Sequence, residues 1–253
     1  PELTAINAAG AWNGHVPVTA INSAILVCAA ILYGYRYVVF ANERSADEAT
    51  LFTAEGVPVN HQYSKSSAFE SAFRKLVHSH VSAEIDYFSI LRPFSELDIV
   101  RRFCALRDFH PLYSSCNRNF HQGGSRIEGR WCGDCPKCRF AALSLAVFLS
   151  PAEVQAIQGA NLLDDVRQAE GFLEICGLGR DKPFECVGEV GESRAALAAL
   201  ANRAEWANHA VVKSLLPELA AVEVPELDEL LKTGPHDGIP PAIVAALPAE
   251  FTA

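Results

Sequence analysis

The sequence predicts an α/β fold, a doubly wound parallel sheet continued by a helical C-terminal region. Three observations predict it. Short aromatic and β-branched runs alternate with helical stretches through the first 100 residues, the arrangement of parallel strands joined by crossover helices. Half of the 253 residues are hydrophobic and a fifth are charged, the balance of a globular chain with a substantial core. From Pro151 onward helical patterns follow one another without a strand between them. The expected division is an α/β domain over 1–150, with a cysteine-rich segment at 116–138, and a helical extension over 151–253.

In chain order, 12–19 reads as a loop into a helix, with Pro17 in the first turn, where a missing N–H costs nothing. That helix runs to about Tyr33, is apolar nearly all round as a buried helix should be, and is ended by Gly34. Residues 35–41 look like a strand buried on both faces. Asn42-Glu43-Arg44-Ser45 follows, where open α/β sheets bind ligands. A polar loop, Val59 to Ser66, leads to an amphipathic helix over about 68–81. A short strand is expected at 85–90, and Pro93 precedes another helix. Further helices are expected at 138–149, 151–157, 162–176, 192–208 and 209–219, and the Pro- and Ala-rich stretch 224–253 is expected to wrap the surface. No repeat is present. The chain starts at Pro1 and has no Met, so its numbering is expected to begin inside a longer polypeptide.

Charge is uneven. The net charge is −9, made of +1 over 1–150 and −10 over 151–253, and an acidic C-terminal region disfavours nucleic-acid binding. Within 116–140, however, Arg118, Arg126, Arg130, Lys137 and Arg139 face only Glu128 and Asp134, which suits one small anionic ligand. The apolar run 16–34 contains Thr19, Asn22 and Ser23 and has no basic residues before it, so a buried helix is expected there and no membrane span.

The sharpest pattern is Cys116, Cys132, Cys135 and Cys138, spaced C-x15-C-x2-C-x2-C among Gly, Arg, Asp and Pro. Four thiolates at such spacing fill a tetrahedral zinc shell, leave no open position for water, and so indicate a structural site. An iron–sulfur cluster uses the same ligands, but nothing else in the chain asks for electron transfer. Core thiols are the plain alternative, and these cysteines lie in the wrong company for it. The ligand-like clustering and the lack of a signal peptide indicate a cytoplasmic protein.

Six blocks carry a resemblance: 14–20 (Gly-His-Val-Pro-Val-Thr-Ala), 42–46 (Asn-Glu-Arg-Ser-Ala), 60–66 (Asn-His-Gln-Tyr-Ser-Lys-Ser), 115–121 (Ser-Cys-Asn-Arg-Asn-Phe-His), 131–140, and 182–188 (Lys-Pro-Phe-Glu-Cys-Val-Gly). In this order, over about 14–188, they resemble the UDP-N-acetylmuramoyl-L-alanyl-L-glutamate epimerase family. The resemblance implies an ATP- and Mg2+-dependent enzyme of peptidoglycan synthesis with an ATP-pyrophosphatase-like core. Its substrate would be the UDP-linked muramoyl dipeptide, whose terminal L-glutamate is inverted to D-glutamate with release of AMP and diphosphate. The phosphate loop of such cores, Ser-Gly-Gly-x-Asp-Ser, does not occur in this chain. The resemblance places it before Pro1.

A Cα–H beside a free carboxylate is a very weak acid. Joining AMP to that carboxylate removes the adjacent charge and lets a side-chain base take the proton. The expected acid–base groups are Cys186, in a Gly-flanked polar loop apart from the zinc set, and His61 and His15, in polar loops beside helix starts. Asn42, Glu43, Ser64, Lys65 and Ser66 are expected to hold ribose, Mg2+ or phosphate, and Arg118, Arg130 and His121 to grip the substrate. Each has a plain alternative: strand-end caps, surface charges, or packed histidines. The competing whole-chain readings are another zinc-containing ATP-pyrophosphatase-type enzyme (deazaguanine nitrile synthase-like or tRNA-thiolating) and a non-catalytic zinc-stabilised binding module.

Overall fold

The computed structural model describes residues 17–120, 127–179 and 182–251, together with residues 5 and 9. It is an α/β structure rich in helix, with a small parallel sheet near its N-terminal end.

The first helix, α1 (Val18–Tyr33), follows Pro17 and is closed by Gly34, whose φ of 72° lets its N–H return to the Ala30 carbonyl. Only Ser23, Val27 and Ala30 of this helix are buried, so the expectation of a helix enclosed on all sides is corrected. The strand β1 (Tyr37–Phe40) is shorter than expected, and Val39 is exposed where burial on both faces was expected. Both corrections have one cause: among the described residues β1 has a single sheet neighbour, and no layer lies beyond it.

A small antiparallel hairpin, β2 (Leu51–Phe52) and β3 (Pro58–Val59), went unrecognised in the sequence because two-residue strands leave no periodicity to read. Next comes α2 (Ser67–His80), capped by Ser66, whose hydroxyl accepts the Phe69 N–H at 3.1 Å. The strand β4 (Asp86–Ser89) pairs in parallel with β1, Tyr37 opposite Asp86 and Phe40 opposite Ser89. The helices α1 and α2 pack with this pair through Val27, Ala30, Val38, Phe73, Val77, Ile85 and Tyr87. The Ser23 hydroxyl and the Tyr87 phenol meet at 2.8 Å inside that core.

The helix α3 (Glu96–Cys104) is capped by Ser95 and leads into the cysteine segment. The helix α4 (Pro136–Ala146) has Pro136 in its first turn and is buried continuously from Phe140 to Ala146. A reciprocal cap between Ser150 and Glu153 starts α5 (Pro151–Gln158), which Gly159 ends at φ 81°. The helix expected over 162–176 is instead two 3-10 turns followed by α6 (Ala169–Ile175). The Asp165 carboxylate caps the Arg167 N–H at 3.1 Å, an alternative to the helical ladder at that point. Among the described residues four α-helices follow: α7 (Val190–Ala201), α8 (Ala210–Leu219), α9 (Leu227–Leu230) and α10 (Pro241–Ala246). The helices α3 to α8 share one large core that includes Leu97, Leu143, Phe172, Leu197 and Trp206.

The C-terminal stretch does lie against the rest. The Ser95 hydroxyl donates to the Leu230 carbonyl at 2.7 Å, Arg44 donates to the same carbonyl at 3.1 Å, and the Gly234 N–H bonds the Pro93 carbonyl at 2.7 Å. Among the described residues no helix is long and apolar enough to cross a membrane.

Candidate functional site

Two centres stand out, one made of sulfur and one a cleft. The four sulfurs of Cys116, Cys132, Cys135 and Cys138 all lie within 4.8 Å of one another and could hold a metal ion. The Cys132–Cys138 and Cys135–Cys138 separations are 3.8 and 3.4 Å. A tetrahedral ion with sulfur at ~2.3 Å has sulfur–sulfur edges of ~3.8 Å, so the set fits four-thiolate coordination of the kind zinc adopts.

Backbone amides already point at these sulfurs: the Cys132 N–H at Cys116 Sγ (3.3 Å) and the Asp134 N–H at Cys132 Sγ (3.4 Å). Gly133, at φ 69°, provides the left-handed residue inside the C-x2-C turn. The hydrogen bond between the Cys135 and Cys138 sulfurs, 3.4 Å apart, together with backbone N–H donors, brings the Cys135 thiol down to about 4 and pushes Cys138 upward. Cys104 and Cys176, by contrast, are pushed up to about 12 by burial and behave as core thiols.

Arg118 and Arg130 belong to this sulfur centre. Arg118 lies 3.5 Å from Asp134, which Arg139 also grips at 2.7 Å. Arg130 lines a cleft of about 520 Å³ with Trp131 and Cys132. His15 and His121 lie outside the described residues.

The second centre is a cleft of about 250 Å³ lined by Pro17, Val18, Thr19, His61, Gln62, Tyr63, Ser64, Lys65 and Cys186. It brings together four residues singled out from the sequence, His61, Ser64, Lys65 and Cys186, from stretches far apart in the chain. The turn before α2 supplies His61 to Lys65, and the loop before α7 supplies Cys186. His61 is held on two sides: its Nδ1 bonds the Thr50 hydroxyl, and its ring meets Phe184 edge-on at 5.8 Å. Gln62 is buried in the wall, and its side-chain carbonyl oxygen has no partner among the described residues.

The loop carrying Cys186 is clamped along its length. Buried Lys182 pairs with Glu48, whose other oxygen accepts the Val190 N–H at 3.0 Å. Glu185 accepts a hydrogen bond from the Asn117 amide, so the residue after Cys116 grips the residue before Cys186. Gly188 packs so closely on Phe140 that an added Cβ would sit 2.3 Å from the ring. The sulfur centre is thereby tied directly to the thiol of the cleft.

Asn42, Glu43 and Ser66 do not line this cleft. Asn42 is buried and donates to Ser89 Oγ at 3.2 Å, joining the carboxyl ends of the two parallel strands. Ser66 caps α2. Arg92 holds the surroundings together: it donates to the carbonyls of Glu43 (2.6 Å) and Lys65 (2.7 Å) and to the Glu70 carboxylate (2.9 Å). No local sequence signal marks Arg92, since its three partners come from three other segments. Among the described residues only the cysteines form a converging set of three or more metal-ligating side chains, so Glu43 is not part of a ready-made cation cage.

Behind these segments the carboxylates crowd. Burial, then Glu43 and Glu192, push Glu96 well above the ordinary carboxylate range. Burial, then Glu192 and Glu48, raise Glu189 to about 7. Burial also raises Glu192, which accepts the N–H groups of Leu97 (3.0 Å) and Glu189 (2.8 Å).

With this arrangement in view, the class follows from comparison with known families. The MurL N-terminal domain matches residues 1–90 and the MurL C-terminal domain matches residues 112–229, and the chain belongs to the MurL family. It is 48% identical over 254 residues to the UDP-N-acetyl-alpha-D-muramoyl-L-alanyl-L-glutamate epimerase of Xanthomonas oryzae pv. oryzae (strain MAFF 311018), a match covering 99% of this chain and 56% of that protein. It is 43% identical over 250 residues to the protein of the same name from Micromonospora sp. (strain ATCC 39149 / NRRL 15099 / SCC 1413), covering 98% of this chain and 55% of that one. The chain therefore spans about half the length of the curated relatives it matches. No solved structure matches it.

Proposed function

We propose that the chain is the part of a UDP-N-acetyl-α-D-muramoyl-L-alanyl-L-glutamate epimerase that carries the acid–base groups, acting in the cytoplasm on a peptidoglycan precursor. The observation that supports this most is the cleft in which Cys186 and His61, a thiol and an imidazole from separate segments, line one small space with Lys65 and Ser64. Inversion at carbon needs one group to take a proton from one face and another to return one to the opposite face. Two groups on independent loops can flank a carbon in that way, which neighbours on one turn cannot.

The reading assigns Cys186 and His61 the two proton transfers. Thr50 and Phe184 hold the imidazole in place, and the Asn117–Glu185 link holds the thiol's loop. Lys65 and Ser64 face the anionic end of the ligand, a carboxylate or phosphate. Joining AMP from ATP to the glutamate carboxylate supplies the loss of negative charge that makes the Cα–H acidic enough for such bases. Asn42 and Glu43 stand past the end of β1, the usual ligand edge of an open sheet, in keeping with nucleotide and Mg2+ binding by an ATP-pyrophosphatase-like layer within 1–150. The four cysteines take structural Zn2+, with Arg118 and Arg130 beside it available to an anionic substrate.

The test uses the complete polypeptide with ATP, Mg2+ and the UDP-linked dipeptide, reading AMP and D-glutamate. Cys186→Ala is expected to lower epimerisation about 10²–10⁴-fold, the scale of a lost acid–base group, with the fold intact by circular dichroism. Normal turnover in that variant would remove Cys186 from the mechanism. A wild-type polypeptide that inverts nothing would remove the function.

A further inference from the structure

The helix α1, Val-Thr-Ala-Ile-Asn-Ser-Ala-Ile-Leu-Val-Cys-Ala-Ala-Ile-Leu-Tyr, contains no charged residue. Its buried positions, Ser23, Val27 and Ala30, form one stripe against the sheet. On the other side, Val18, Ile21, Ile25, Cys28 and Leu32 are all exposed, at spacings that alternate three and four residues. That is the seam by which one helix packs along another at a shallow angle. The exposure is large: 56% at Val18, 59% at Ile25 and 81% at Leu32, with Leu26, Ile31 and Tyr33 exposed beside them. A contiguous apolar surface of this kind marks an interface.

The neighbouring strand shows the same want of cover. Val39 of β1 is 46% exposed and alternates with Val38, which packs with α1, so it belongs to the opposite face of the sheet. Among the described residues β1 bonds only β4, which leaves its outer edge open. Parallel sheets are covered on both faces. A helix seam on one face, an apolar residue on the other and an open strand edge between them are satisfied together by one thing: continuation of the α/β layer beyond β1.

We propose that α1 and the outer side of β1 form the docking surface for polypeptide that MurL relatives carry outside the stretch this chain matches. The docked part supplies a strand beside β1 and a helix seated on the 18–32 seam. Its source is argued from length: the matched stretch is 56%, 55% and 48% of three relatives, leaving nearly as much chain again. A second copy seated on the seam would cover the helix and leave Val39 and the strand edge bare. A membrane surface fits poorly, because α1 has no Lys or Arg and its remaining face is taken up by the sheet.

Cys28, exposed within the seam, reports its cover. The probe is N-ethylmaleimide, with modification of Cys28 followed by peptide mass spectrometry. Two proteins are compared: this chain alone, and the Xanthomonas relative with its matched stretch replaced by this chain. Cys28 is expected to react quickly in the first and at least ~10-fold more slowly in the second, a change that needs only partial burial of the thiol. Ile25→Glu with Leu32→Glu is expected to restore the fast rate while circular dichroism is unchanged. Equal rates in the two proteins overturn the proposal. So does a dimer of the chain alone in which Cys28 is already protected. Should the chimera not fold, hydroxyl-radical footprinting of the intact Xanthomonas protein decides: protection of the helix aligned with residues 18–33 supports the proposal, and oxidation there overturns it.

Discussion

The helices α1 and α4 make an instructive pair. The sequence reads α1 as enclosed because it is apolar nearly all round; α4 carries Lys137 and Arg139 in its first turns and is mostly apolar from Phe140 on. The helix α4 is enclosed, surrounded by α3, α5, α6 and α7 and buried from Phe140 through Ala146. The helix α1 touches β1 and the turn at 63–65 and leaves a whole stripe uncovered. The difference teaches that an all-apolar helix reports how many neighbours it requires, not whether the same stretch of chain supplies them. Within this chain the helical region covers its own apolar surface around α4, and the layer around β1 leaves part of its apolar surface bare.

The comparison can be broken or sharpened, beginning with the largest effect. Removing metal with a chelator, or Cys135→Ser, should unfold the join between the cysteine segment and α4. Structural four-thiolate sites supply about 10 kcal/mol of apparent folding free energy at neutral pH, so a Tm loss of about 10 °C or more is expected by calorimetry. An unchanged Tm would mean that the helical region holds without its ion. Next, Leu143→Ala should cost about 2–5 kcal/mol in denaturant unfolding, since Leu143 is fully buried inside α4.

A smaller effect depends on pH. The folded pKa of Glu189 is raised to about 7, so its proton is bound more tightly in the folded chain than in the unfolded one. The contribution of Glu189 to stability is therefore full below about pH 4.5 and is lost as pH rises through about 7. Glu96 and Glu192 shift in the same direction. Glu189→Gln, which keeps an acceptor at the start of α7, should flatten the fall in Tm between pH 5 and 8; an unaltered slope would place its cause elsewhere. The smallest effect belongs to α1: Ile25→Ala in the chain alone should change stability by no more than about 0.5 kcal/mol. A loss there comparable to Leu143→Ala would show the two helices equally covered, and the contrast would fail.

What the sequence made legible was local. The spacing of Cys116, Cys132, Cys135 and Cys138 announced a cluster that the fold forms, because ligands on one tight turn need little tertiary help. The β-branched run before Asn42 likewise carries its own signal, whereas Ser66, expected to hold phosphate, caps α2. His61, Ser64, Lys65 and Cys186 could each be named singly, but nothing in the sequence showed that one cleft would hold all four. Arg92 and the Asn117–Glu185 contact stayed hidden for the same reason: each joins segments that meet only after folding. The uncovered face of α1 was misread because apolar periodicity counts buried surface without saying what buries it.

One consequence of the Arg92 contacts concerns movement. A single guanidinium bonds the carbonyls after β1 and before α2 and the carboxylate of Glu70 on α2. Its planar fork spreads over all three; a lysine ammonium in its place would have to abandon at least one. The two turns therefore share one anchor, and displacing either of them breaks a bond of the same guanidinium.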